Sequence, residues 1–323
     1  MENFWSKLPR PFTILAPLDG VTDFVFRQII TQLGKPDVLF TEFTSCDGMQ
    51  SKGKEKVESR FLFKPNEKPI VAQIWGANPK DFYETAKYIK KLGFAGIDIN
   101  MGCPIADIIR GGACSGLIKN PRLAKEIIEA TRGGAGGLPV SVKTRIGFEN
   151  DSTEGWIGFL LKQDLSALSV HLRTVEELSK TFAHWELMPK IMKMRNLYAP
   201  ETVIIGNGDI LSLEEIDNKF KKYGCEGFMI GRGIFANPWL FNKSINVQEI
   251  SVDKRFETFL RHIDLYEKTW GSTKNFANLK KFCKVYISNF PDVSRCREEI
   301  MKTKSMRELK ETVENLKTGN FPH

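Results

Sequence analysis

The chain has 323 residues, 41% hydrophobic and 27% charged, with 47 Lys and Arg against 39 Asp and Glu for a formal charge of +8. That is the range of a soluble globular protein with one large and one small domain, or two of medium size. No run approaches the roughly 18 uninterrupted apolar residues of a membrane span, and MENFWSKLPRPFTILAP lacks the charged leader and apolar stretch of a secretory signal. The six cysteines, at 46, 103, 114, 225, 283 and 296, show no CxxC spacing. This argues against a zinc site and a secreted disulfide framework, so a reducing cytoplasm and no metal are expected.

In chain order, β-rich runs alternate with amphipathic stretches. Strands are predicted at 12–17, 37–43, 69–75, 96–100, 139–145, 167–173, 202–208 and 227–233. Between them lie helical patterns such as DFYETAKYIKKLG and SLEEIDNKFKKYG, several ending in the glycine favoured just past a helix end. Alternation of this kind predicts a parallel sheet, and eight units in about 245 residues match a (β/α)8 TIM barrel. A doubly wound open sheet is the rival; it usually carries GxGxxG after its first strand, where this chain has APLDGVTD. After NPWLF (237–241) the strand signals vanish, and from about Ser251 only helical patterns remain. The expected organisation is a barrel domain over 1–245 and an all-helical domain over 246–323. The latter holds 15 Lys and Arg against 11 Asp and Glu, net +4, which is compatible with a polyanionic partner.

In a barrel, reactive groups gather at the carboxyl ends of the strands. Those ends read Pro17-Leu18-Asp19, Glu42, Gln73, Asn100 with Cys103, Lys143 with Arg145, His171 with Arg173, Asn207-Gly208-Asp209 and Gly231-Arg232-Gly233. Each has a plain reading as a cap or solvated loop end, but eight on one face point to a site. IIGNGDI and MIGRGIF place glycines where a strand turns into a helix, at the seventh and eighth ends, the usual place for a phosphate-bearing ligand in barrels. Lys143, with Gln73, is placed to face a flavin, whose reduced ring carries negative charge that a cation stabilises. Cys103 sits in the sharp turn of DINMGCP straight after a strand, whereas Cys114, in GGACSGLI, reads as a packing residue.

APLDGVTDFVFR, QIWG, DINMGCP, RGGACSGLIKNP, VSVKTRIG, VHLRT, GNGDI and GRGIFANPWLF resemble, in order, the motif series of the tRNA-dihydrouridine synthases; NLKKFCKVY is similar, more loosely, to the basic segment of that family's helical domain. The resemblance implies an enzyme that holds FMN at the barrel mouth, is reduced by NADPH, and reduces the C5=C6 bond of particular uridines in tRNA. It implies that Pro17, Leu18 and Asp19 line the flavin, with Gln73, Lys143 and His171 near the ring. Asn207, Gly208, Asp209, Gly231 and Arg232 would hold the ribityl phosphate. Cys103 would be the general acid and Asn100 would help seat the uracil. A free thiol with an ordinary pKa is mostly protonated at neutral pH, so Cys103 is expected to donate readily. Arg145 and Arg173 are further candidates for substrate contact. The chain departs from the usual family residues at Leu18, Leu172 and Phe282. In the tail, Lys280, Lys281 and Lys284 fall on one face if the segment is one helix, a candidate grip on RNA phosphates; a monomer is expected. Two alternatives stay open at this point: a flavin barrel acting on a small molecule, such as a dihydroorotate dehydrogenase or an enone reductase, and a tRNA-binding protein without catalysis.

Overall fold

The computed structural model describes residues 3–288 and 290–319. Eight parallel strands form a closed ring: β1 (Phe12–Leu15), β2 (Val38–Phe40), β3 (Ile70–Trp75), β4 (Gly96–Met101), β5 (Val140–Arg145), β6 (Ala167–His171), β7 (Val203–Asn207) and β8 (Gly227–Ile230). Each pairs with its successor, and the ring closes where Phe12–Leu15 run beside Gly227–Ile230. A two-residue extension, Thr44–Ser45, pairs beyond β2 with the end of β3. All eight predicted strands are present, most of them shorter, because the polar residues at their carboxyl ends leave the ladder to form loops. β1, β2, β7 and β8 are buried at every position, as a sheet covered on both faces requires.

Helices Pro79–Leu92, Pro121–Ala135, Met188–Tyr198 and Leu213–Tyr223 alternate with the strands. The first shows why the sequence stops and starts where it does. The Asn78 side chain accepts from the Lys80 N–H, Pro79 opens the helix, and Gly93 leaves it in the left-handed region at φ 80°. Asn120, Pro121 and Gly136 repeat the scheme. Inside the ring, Phe12, Ile14, Val38, Phe40, Val71, Ala167, Val203, Ile205 and Met229 pack around Trp5. The Trp5 ring lies 5.9 Å from that of Phe12 and 6.3 Å from that of Phe40, so it closes the end at which the strands begin. Burying an aromatic of this size contributes on the order of 2–3 kcal/mol.

The chain divides into two compact units, Met1–Thr22 with Pro36–Gly231, which contains the barrel, and Asp23–Lys35 with Arg232–His323. The second unit is helical: Phe24–Leu33, Val252–Trp270, Val293–Lys302 and Met306–Lys317, with single turns at Gly233–Ala236, Ala277–Lys280 and Cys283–Tyr286. Asp23 organises one end of it, accepting from the Phe26 N–H at 3.0 Å, Trp270 Nε1 at 2.9 Å and Lys274 Nζ at 3.2 Å. Its core is aromatic, with the Phe282 ring tilted against Phe26 at 5.0 Å and edge-on to His262 at 4.6 Å.

Residues 277–286 form two single helical turns, Ala277–Lys280 and Cys283–Tyr286, joined through Lys281 and Phe282, which both stay in the right-handed helical region, and Phe282 is buried between Phe26 and His262. Lys280 Nζ donates to the carbonyl oxygens of Met301, at 3.0 Å, and Thr303, at the end of the helix Val293–Lys302. Lys284 is exposed. Among the described residues, no helix is long and apolar enough to cross a membrane.

Candidate active site

Side chains two apart on a strand share a face. Val71 lies in the apolar filling of the barrel, so Gln73 points inward too; Ala167 places Ser169 and His171 there, and Val203 and Ile205 place Asn207. Above the apolar floor the barrel therefore carries a polar layer toward the carboxyl ends of its strands. At its centre is Asp98, fully buried on β4. One carboxylate oxygen accepts from Gln73 Nε2 at 2.7 Å, the other from Ser141 Oγ at 2.6 Å. Gln73 Oε1 in turn accepts from Asn100 Nδ2 at 3.1 Å. The Asn100 carboxamide oxygen accepts from the backbone N–H groups of Gly102 and Cys103, both at 3.0 Å. Burial pushes the Asp98 carboxyl up to about 6, against the pull of the Ser141 and Gln73 hydrogen bonds and the Lys143 charge.

This chain of bonds ends on the turn that holds Cys103. β5 clamps the same turn: Thr144 Oγ1 donates to the Met101 carbonyl at 3.0 Å and Arg145 Nε to the Gly102 carbonyl at 2.9 Å. Five of the six cysteines are buried, and Cys103 alone is partly exposed. Its thiol accepts a hydrogen bond from Cys114, which, with the Ile105 N–H and the Arg145 charge, brings it down to about 7 although burial and Asp19 act the other way. Cys103 is thus more acidic than the ordinary thiol expected from sequence. Cys114 is buried, and burial pushes its thiol well up.

Lys143, half-buried on β5, has its ammonium sunk among protein atoms. That burial and the neighbouring Arg145 lower it to about 8, opposed by Asp98 and Cys103. His171 Nε2 lies 3.1 Å from Arg173 Nη1. Arginine only donates, so Nε2 is placed to accept from it.

Arg145 and Arg173 are committed to internal partners. Besides Gly102, Arg145 Nη1 donates to the carbonyls of Thr174 at 2.8 Å and Leu178 at 3.3 Å. Arg173, 2% exposed, donates from Nε and Nη2 to the Thr181 carbonyl at 2.9 and 2.8 Å and pairs with Asp209. The same Asp209 oxygen accepts from the Ala183 N–H at 2.8 Å. Both guanidinium groups thus pin the loop that follows β6. Leu172, between His171 and Arg173, is buried, its N–H donating to the Asn207 carbonyl at 3.0 Å. Asn207 Nδ2 donates to the Met229 carbonyl at 2.7 Å, and Asp19 pairs with Arg60 at 2.8 Å. Arg232 precedes the single turn Gly233–Ala236 and belongs to the second unit.

Two features bear on what the mouth can hold. Ser169 Oγ is buried with no hydrogen-bond partner among the described residues, and Ser169 is the register neighbour of Lys143. Gly231 is open on its side-chain face: an added Cβ would meet only Ala16 Cβ at 3.9 Å and Leu18 Cδ2 at 4.0 Å. An unsatisfied hydroxyl beside a cation and a gap against Ala16 and Leu18 fit a planar ring with polar edges. Among the described residues no group of three or more His, Cys, Asp or Glu is placed to hold a metal ion. Sequence reasoning passed over Asp98, Ser141 and Ser169. Asp98 was within reach, since it shares the parity of Asn100.

A closed parallel eight-stranded barrel with a polar, thiol-bearing mouth defines a (β/α)8 barrel of enzyme type. Solved structures share this fold: morphinone reductase in complex with tetrahydroNAD (TM-score 0.50, 15% identity, 72% of this chain and 86% of that one) and histamine dehydrogenase from Rhizobium sp. 4-9 (TM-score 0.56, 13% identity, 78% and 48%). The family pattern described as "Dihydrouridine synthase (Dus)" matches residues 14–320, and the chain belongs to this family. The "Probable tRNA-dihydrouridine synthase 2" of Bacillus subtilis (strain 168) is 44% identical over 312 residues, covering 96% of this chain and 95% of that one. The "Probable tRNA-dihydrouridine synthase" of Staphylococcus aureus (strain MRSA252) is likewise 44% identical over 312 residues, covering 96% and 94%.

Proposed function

We propose that this protein reduces the C5=C6 bond of uridines in tRNA to 5,6-dihydrouridine, with FMN as its resident cofactor and NADPH as the reductant. The observation that carries the reading is Cys103: the one partly exposed cysteine, on a turn fixed by Asn100, at the same mouth as Lys143.

Bound FMN would supply a hydride to C6 of the uracil. Ala16, Pro17 and Leu18 would take its ring, Lys143 and Ser169 its polar edge, and the backbone at Gly208 and Gly231 its phosphate. The protein's own chemistry is at C5. The Cys103 S–H bond breaks, its proton forms the new C5–H bond, and the electron pair remains on sulfur. Asn100 holds the two N–H groups of the turn, so the sulfur is aimed before substrate arrives. Extruding a uridine from folded tRNA costs a few kcal/mol, and phosphate contacts by basic residues of the second unit would offset it.

The test is direct. Purified protein with FMN should be yellow, be bleached anaerobically by NADPH, and be reoxidised by unmodified tRNA, whose digest then contains nucleosides heavier by two hydrogens. No uptake of FMN, or reoxidation by free uridine or orotate but not by tRNA, would overturn the reading.

A further inference from the structure

A residue's backbone has two soft torsions, one on each side of its Cα. At Cys103 the structure restrains both. On the amino side the Cys103 N–H donates to Asn100 Oδ1 at 3.0 Å. On the carboxyl side Pro104 follows, and a proline offers no N–H. The Cys103–Pro104 peptide therefore carries one polar group, the Cys103 carbonyl, and Ser115 Oγ donates to it at 2.7 Å. Ser115 is 0% exposed, where a hydroxyl needs a partner.

The path of the chain is what brings that hydroxyl back. After Pro104 it leaves as the short helix Ala106–Arg110, reverses through Gly112 at φ +76° and Cys114 at φ +51°, and returns as the turn Cys114–Lys119. Cys114 holds a left-handed conformation with a side chain attached, a strain that persists where the surroundings fix it. The two arms lie close: a Cβ added at Gly116 would meet the Ile109 carbonyl at 3.0 Å. The two preceding carbonyls are gripped from β5 instead, Met101 by Thr144 Oγ1 and Gly102 by Arg145 Nε.

We propose that Ser115 is a positioning residue for Cys103. With Asn100 on the other side of the Cα, its hydroxyl fixes the Cys103 backbone, which leaves rotation about Cα–Cβ as the sulfur's main freedom and aims the S–H at C5 of the uracil. The proton goes to C5, the electron pair stays on sulfur, and the thiolate takes a proton from water. The part played in turnover rests on the proposed reduction; the restraint on the turn does not.

The experiment removes the hydroxyl with Ser115→Ala. In the full-length protein, amide hydrogen exchange followed by mass spectrometry should show Gly102 and Cys103 exchanging about tenfold faster, with β6 unchanged. Ser115→Thr, which keeps a hydroxyl, should restore the protection. Stopped-flow spectroscopy then separates the two half-reactions. Bleaching of the flavin by NADPH, which does not use Cys103, should keep its rate. Reoxidation at saturating tRNA should slow about tenfold or more, at an unchanged half-saturating tRNA concentration. A general loss of structure would slow both. Unchanged exchange in Ser115→Ala, or equal slowing of the two half-reactions, overturns the proposal. Faster exchange in Ser115→Ala beside a wild type that does not reduce tRNA leaves the positioning role standing and removes the proposed function.

Discussion

Asp98 is the residue on which the polar layer turns. An asparagine there would present an amide N–H₂ where the carboxylate now accepts on both oxygens. With its carbonyl oxygen kept toward Gln73 Nε2, the new amide can turn that N–H₂ to Ser141 Oγ, a hydroxyl that accepts as well as donates, so the bonds from Gln73 through Asn100 to Gly102 and Cys103 stand. Asp98→Ala, which leaves Gln73 Nε2 without its acceptor, should lose roughly 10²-fold in kcat with tRNA, because an ångström of misplacement at the reacting group costs about that much, whereas Asp98→Asn should fold and keep most of it. The same variant has a signature in stability. A carboxyl whose pKa is raised in the folded state gives stability that is complete below the ordinary carboxylate range and is lost as pH rises through about 6. The wild type should surrender on the order of 3 kcal/mol across that window on this account, and Asp98→Asn should not; melting temperatures from pH 4 to 7 read the difference. Cys103 was legible in the sequence because a strand pattern, Asn100 and Pro104 bracket it. The partners of Arg145 and Arg173 were not, because the carbonyls they hold lie on a loop whose path no local pattern announces.

At the scale of elements, alternation and capping made the eight strands and the long helices readable, since burial on both faces and Asn-Pro starts are local signals. The tail was harder. A periodic run of lysines and aromatics looks like a solvated helix face, and no local pattern says that Phe282 is buried between Phe26 and His262. Nor does the sequence say that Phe24–Leu33, which follows the first strand, belongs with the second unit. His262 reports on that unit. It is fully buried, bonded through Nδ1 to the Tyr286 hydroxyl at 3.0 Å, and burial lowers it to about 4. A histidine depressed in the folded state gives stability that is present above its ordinary pKa and is lost as pH falls from about 6.5 through about 4. The loss should be on the order of 3 kcal/mol. His262→Phe should cost about 1–3 kcal/mol at pH 7 by orphaning the Tyr286 hydroxyl but flatten the acid response, as denaturant titrations at pH 7 and pH 5 would show. The opposite signs at Asp98 and His262 make mild acid a stress on the helical unit specifically.

For the whole molecule, the excess of basic residues has a use only if some of them face solvent. Lys280 is tied to the carbonyls of Met301 and Thr303, and Lys274 to Asp23, whereas Lys284 is exposed. Lys284→Gln should lower the slope of log affinity for tRNA against log salt by about 1, while Lys280→Gln should chiefly destabilise the helical unit; filter binding at several salt concentrations, beside thermal melts, separates the two. The plug formed by Trp5 has a wider reach than its contribution to stability. Among the described residues Trp5 fills the barrel below the polar layer, which leaves the layer to be met from the carboxyl ends of the strands. On the proposed function, an electron donor and a nucleotide would then approach one cofactor from the same side and take turns at it.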